Sequence, residues 1–208
     1  VPICFSRSSR LTIPCVRSMF VVEGEGGAVP PRSTTHAKLT ASPALSQEAK
    51  NIYSVKTRHV AILAANGVEH HGIIELKTAL AAAGATAEVI ALSLAPLKSD
   101  GTRVDPDKTF LTAASVLYDA VLIPGGKLSA PALAAQDDAQ RFIKEAFRHC
   151  KPIGAYGEGV AVLKSCSQIP ATAPGLVTAA ADTDPGLFLK EFIKALAHHR
   201  FWDREEKP

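Results

Sequence analysis

No uninterrupted run of about 18 apolar residues occurs in the 208-residue chain, so no segment has the length that a membrane-spanning helix needs. Charge of one sign is also scarce, since 23 basic residues against 20 acidic ones leave a formal net charge of +3. The basic residues form no dense cluster with interleaved aromatics, so the footprint of a nucleic-acid surface is missing. Cysteine is confined to Cys4, Cys15, Cys150 and Cys166, with no CxxC pair and no metal-ligand spacing. The thiols therefore read as reduced, without a disulfide framework or a metal site. Acidic residues are absent from residues 1–22, which carry Arg7, Arg10, Arg17 and five Ser/Thr. That composition suits both a disordered tail and an organellar targeting segment, so the expected location is the cytoplasm with an organelle left open. The single methionine is Met19 and the chain begins with Val1, which leaves the true start of the protein open.

Apolar residues make up 47% of the chain, enough for a packed core and too many for a disordered one. The length suits one domain with appendages. Residues 1–56 show no sustained period and are punctuated by Glu23-Gly-Glu-Gly-Gly27, Pro30-Pro31 and a Ser/Thr-rich stretch to Ser46. This is linker chemistry, and a disordered tail and linker is expected there. The folded domain is expected over residues 57–208.

From His59 onward, strand-length apolar runs alternate with helical periods. His59–Ala65 reads as a strand, and residues 69–83 as a helix built on Ile73, Leu76, Ala79, Leu80 and Ala83, with Gly84 as its stop. Thr86–Leu92 is a second strand, and Ser99-Asp-Gly-Thr102 between Leu97 and Val104 reads as a hairpin turn. Tyr118–Ile123 and Pro152–Tyr156 are further core strands, and Leu176–Ala179 is a short late one. Helices are expected at Asp137–His149, from Gly159 to near Ser165, and at Asp184–His199, where Pro185 occupies the first turn. Such alternation predicts an α/β domain, a mostly parallel central sheet covered by helices on both faces as a three-layer sandwich.

Ligands of open parallel sheets bind beyond the carboxyl ends of the strands. Three segments end there: Asn66-Gly67-Val68-Glu69, Pro124-Gly125-Gly126-Lys127 and Tyr156-Gly157-Glu158-Gly159. The last is a strand–turn–helix corner of the nucleophile-elbow type. Gly125 and Gly126 would let backbone N–H groups approach the same point, as an oxyanion hole requires. The frame is that of an acyl-transfer site, yet Gly157 has no side chain to attack a carbonyl.

Other residues carry two readings each. Glu158, in the first turn of a helix, reads as a general base or as a carboxylate favoured by the helix dipole. His70-His71 and His198-His199 are adjacent pairs that point in different directions on a helix, so helix-end or surface roles are expected over metal binding. Lys127 reads as an anion contact or as a solvated lysine. Phe201-Trp202 reads as an interface anchor or as local packing. Tyr156 reads as a strand residue whose hydroxyl finds a partner near the elbow.

Val121-Leu-Ile-Pro-Gly-Gly126 and the elbow Lys151-Pro-Ile-Gly-Ala-Tyr-Gly-Glu-Gly159 resemble the PfpI/ThiJ superfamily, related to class I glutamine amidotransferases. The resemblance implies a flavodoxin-like fold. In active relatives the elbow carries a cysteine, and the matching position here is Gly157. They also place a glutamate after the first strand. Alignment by strand ends puts that position at Gly72, three residues beyond Glu69.

A closer resemblance is to the C-terminal domain of large-subunit, haem-containing catalases. It rests on Thr40-Ala-Ser-Pro-Ala-Leu-Ser46, Lys56-Thr-Arg-His-Val-Ala-Ile-Leu63, Lys151-Pro-Ile-Gly154 and Ala197-His-His-Arg-Phe-Trp-Asp-Arg204. That domain also lacks the elbow cysteine. The resemblance implies an accessory role in subunit folding, stability or assembly, and it suggests holdase activity toward unfolding clients. No cofactor is expected in this chain, because haem belongs to a preceding domain with no counterpart in it. The expected partners are unfolded clients, a catalase haem domain or further copies of the chain, with nucleic acid and membrane excluded. The alternatives are a PfpI/ThiJ-type hydrolase or amidotransferase, or a fragment of a hydrogen-peroxide-degrading catalase.

Overall fold

His59–Leu63 (β1) buries every residue after the first, the mark of a strand covered on both faces. The computed structural model describes residues 53–99 and 102–204. The tail, the Thr40–Ser46 segment, Cys4, Cys15 and the His71 side chain lie outside what it describes. After β1 come the helix His70–Ala82 (α1), the strand Thr86–Ala91 (β2) and a separate hairpin of Leu97–Ser99 (β3) with Thr102–Val104 (β4). Lys108–Thr109 (β5) and Ala120–Ile123 (β6) follow, then the helices Ser129–Ala134 (α2) and Asp137–Arg148 (α3). The order ends with Ile153–Tyr156 (β7), Gly159–Ser165 (α4), Leu176–Ala179 (β8) and Pro185–His198 (α5).

The central sheet runs β5-β2-β1-β6-β7-β8 with every pairing parallel. Without the two-residue edge strand β5, its order in sequence is 2-1-3-4-5, the flavodoxin-like doubly wound order. The fold is a flavodoxin-like α/β sandwich. On one face α1 and α5 pack Ile73, Leu80, Phe188, Phe192 and Leu196 against Val60, Ile62 and Leu122. On the other, α2, α3 and α4 pack Leu133, Phe142, Ile143 and Val162 against Leu63, Val121 and Ile153.

Two expectations are corrected in detail, and two elements are added. The first strand ends at Leu63, although Ala64 and Ala65 remain buried, because the chain is already turning toward α1. Tyr118 precedes β6 at the end of a turn of 3-10 helix at Ser115–Leu117, where its hydroxyl donates to Glu88 at 2.6 Å. α2 and β5 are additions, too short to show a period in the sequence.

The C-terminal segment closes the amino-terminal edge of the sheet. The Phe201 N–H donates to the Cys150 carbonyl at 2.8 Å, and the Phe201 ring stacks on His198 at 4.5 Å. The Arg204 guanidinium lies over Phe147 at 4.6 Å and donates to the Lys151 carbonyl at 2.9 Å. Phe201 thus packs locally, and it and Trp202 are both half-buried. His199 Nε2 meets Asp119 at 3.0 Å while His198 Nδ1 meets the Arg200 carbonyl at 2.9 Å, so the adjacent rings serve different partners. Cys150 and Cys166 are buried and not joined in a disulfide.

Candidate functional site

β1, β6 and β7 are neighbours, so their carboxyl ends bring the three turn segments together at the switch point of the sheet. The Glu69 N–H donates to the Gly125 carbonyl at 3.1 Å, tying the first turn to the second. At the third, Gly157 has φ +57°, the left-handed conformation of an elbow residue. A Cβ built there would find its nearest neighbours at 3.5 Å from Ala181 and 3.6 Å from Gly125, so there is room for the root of a side chain. The elbow geometry is present at a residue that carries no nucleophile.

One donor of the expected oxyanion hole, the Gly126 N–H, is engaged from within. The Gly126 N–H donates to Glu158 Oε2 at 3.0 Å. That bond, with a second from the backbone N–H of Glu158 itself, holds the Glu158 carboxyl below its usual range, and Lys127 adds its charge. An internal carboxylate thus sits where an external oxyanion would otherwise be stabilised. Glu158 is half-buried at the start of α4, and its carboxylate faces a backbone donor and not a nucleophile. Lys127 is exposed, and the anion it supports is Glu158.

Glu69 reaches the same point despite its register. Its Oε2 would lie 3.3 Å from a Cβ built on Gly125, with Glu158 Oε2 at 3.2 Å from that same Cβ. A Cβ on Gly72 would lie 3.9 Å from Glu69 Oε2. Residues three apart at a helix start share a face, so Glu69 covers the space of position 72. Alignment by strand ends missed this because it compares positions along the chain and not side-chain reach.

Tyr156 finds the partner expected of it, its hydroxyl meeting the Thr183 carbonyl at 2.8 Å and that of Ala181 at 3.2 Å. Its ring leans on Phe188 with centroids 5.4 Å apart. Beside the elbow, α1 and α5 enclose a cavity of about 250 Å³ whose wall includes Glu69, Glu75, Leu76, Tyr156, Phe188 and Leu189. The α5 contribution carries no signal in the sequence, since only the packing of α5 against α1 brings Phe188 and Leu189 there. Among the described residues, no three His, Cys, Asp or Glu are grouped to hold a metal ion. No described helix is long and apolar enough to cross a membrane.

Residues 56–206 match the family model of the C-terminal domain found in long catalases. The chain belongs to this family. Catalase-2 of Bacillus subtilis (strain 168) is 39% identical over 185 residues, covering 88% of this chain and 26% of that protein. Catalase HPII of Mycobacterium avium is 37% identical over 187 residues, covering 84% of this chain and 26% of its own. The catalase C-terminal domain described here therefore spans about a quarter of the length of these relatives. Among solved structures, the VC2308 protein superposes with a TM-score of 0.57 at 18% identity, covering 66% of this chain and 83% of that one. At that identity the likeness concerns the fold alone.

Proposed function

We propose that this catalase C-terminal domain is a non-catalytic accessory unit that supports the folding, stability or assembly of a long catalase subunit. The observation that carries the reading is the elbow: Gly157 supplies no nucleophile, and the Glu158 carboxylate accepts the adjacent Gly126 N–H. An acyl-transfer enzyme needs both of those features free and reactive. The hydrolase or amidotransferase alternative therefore lacks its chemistry at this corner. Hydrogen-peroxide degradation belongs, on this reading, to the larger assembly in which the domain takes part.

A holdase activity has one supporting observation of its own. Leu111, Val116 and Leu117 are 86%, 76% and 57% exposed on one short stretch of the surface, and exposed apolar side chains in a cluster favour contact with other apolar surface.

The test uses a long catalase truncated before this domain. It would be unfolded in urea and refolded with or without the present chain. Higher recovery of peroxide-degrading activity with this chain, and not with an unrelated protein of equal size, is the expected result. Equal recovery in both arms overturns the assembly role. Light scattering of a heat-denatured client enzyme in the same two arms separates a general holdase from a subunit-specific helper.

A further inference from the structure

The cavity between α1 and α5 is open to a ligand of definite chemistry. Its apolar walls come from Leu76 and Phe188, both buried, with Leu189 and the prolines Pro124 and Pro185 beside them. Its polar side chains are Glu69, Glu75 and Tyr156, and no basic residue lines it among the described residues. Neither carboxylate is paired with a basic residue among the described ion pairs. The Tyr156 hydroxyl directs its hydrogen at the Thr183 carbonyl, which leaves its oxygen able to accept. The side chains thus present acceptors and negative charge on an apolar bed.

The surrounding field has the same sign. Burial pushes the Tyr156 phenol up, and the carboxylates of Glu69, Asp184, Asp182 and Glu75 push it further in the same direction. The start of α5 lies on the cavity wall at Pro185 and Gly186. A helix N-terminus brings about half a positive charge. At α5 this is answered by Asp184, which accepts from the Leu187 N–H at 3.1 Å. Four carboxylates therefore outweigh it.

We propose that this cavity binds a small organic cation, a protonated amine carried on an apolar or aromatic body. The ammonium would be held by Glu69 and Glu75, and the body would lie against Phe188 and Tyr156. Such a ligand supplies donors to these acceptors, and the ring faces add a cation–π attraction. A volume of about 250 Å³ suits a ligand of roughly eight to ten heavy atoms. The proposal is independent of the accessory role, because it requires neither a catalase partner nor a client.

The experiment titrates the full chain by calorimetry with benzylammonium, benzyl alcohol and benzoate, three ligands of one shape and different charge. Benzylammonium is expected to bind at least about tenfold more tightly than either of the others, the ratio that one charge-assisted contact supplies. The double variant Glu69→Gln/Glu75→Gln is expected to weaken it by about fivefold or more. Both positions are exposed, so circular dichroism and the thermal midpoint should stay unchanged. Asp138→Asn, on α3 across the sheet, should leave affinity as it was. Absence of benzylammonium binding at millimolar concentration overturns the proposal. Equal affinity for the alcohol or the benzoate does so too, as does unchanged affinity in the double variant.

Discussion

Gly157 combines a left-handed backbone with room for a Cβ. Gly157→Cys is therefore expected to fold, at a cost of about 1 kcal/mol for a non-glycine residue in this region. The new thiol would start beside Gly125, around which the Glu158 and Glu69 carboxylates gather, and their charge disfavours a thiolate. Its alkylation by iodoacetamide at neutral pH, followed on the peptide by mass spectrometry, should be slow. Adding Glu158→Gln should speed it several-fold, and equal rates in the two variants would contradict the site geometry. Asp119 illustrates a different kind of residue. Burial pushes its carboxyl up, but hydrogen bonds from His199 and the His59 N–H, with the charge of Arg58, hold it down to about 2. A depressed carboxylate contributes stability that is full above its unfolded value, about 3.9, and is lost as pH falls from there through about 2. Asp119→Asn should flatten that part of the acid limb in urea unfolding and lower stability at neutral pH by about 1–2 kcal/mol. The glycine at the elbow was legible from the sequence. The partners of Asp119 were not, because Arg58, His59 and His199 come from opposite ends of the domain.

α4 owes its position to a contact that only glycine allows. A Cβ on Gly159 would lie 2.5 Å from the Ile123 carbonyl oxygen and 2.9 Å from that of Pro124, both backbone atoms. Gly159→Ala gains about 1 kcal/mol of helix propensity but forces α4 away from β6. The expected net loss is about 2–3 kcal/mol, read as a lower urea midpoint with unchanged slope. Long periodic elements such as α1, α3 and α5 were readable because each has a continuous stripe of buried positions, as with Phe188, Phe192 and Leu196. α2 was not, being six residues with Pro131 inside it. β5 has two residues on the edge of the sheet, too few for any alternation to register.

The two hydrophobic layers lie on opposite faces of one sheet and contain different helices. Ile143→Val in one layer and Ile73→Val in the other should each cost about 1 kcal/mol and add within about 0.5 kcal/mol in the double variant. Unfolding followed by circular dichroism and by the fluorescence of the single tryptophan, Trp202, should give coincident curves. Separate transitions would mean that the layers are not one cooperative unit. The sequence by itself determined the α/β alternation, the three turn segments at the carboxyl edge and the missing side chain at Gly157, because these are properties of local pattern. It also carried the family resemblance, through short motifs spread along the domain. Only the tertiary structure decided that Glu158 accepts the amide N–H of Gly126 and that Glu69 reaches Gly125 across the register gap. Only it placed α5 against α1 to enclose an acidic cavity. Side-chain reach and the docking of distant helices depend on packing in three dimensions, which no local period encodes.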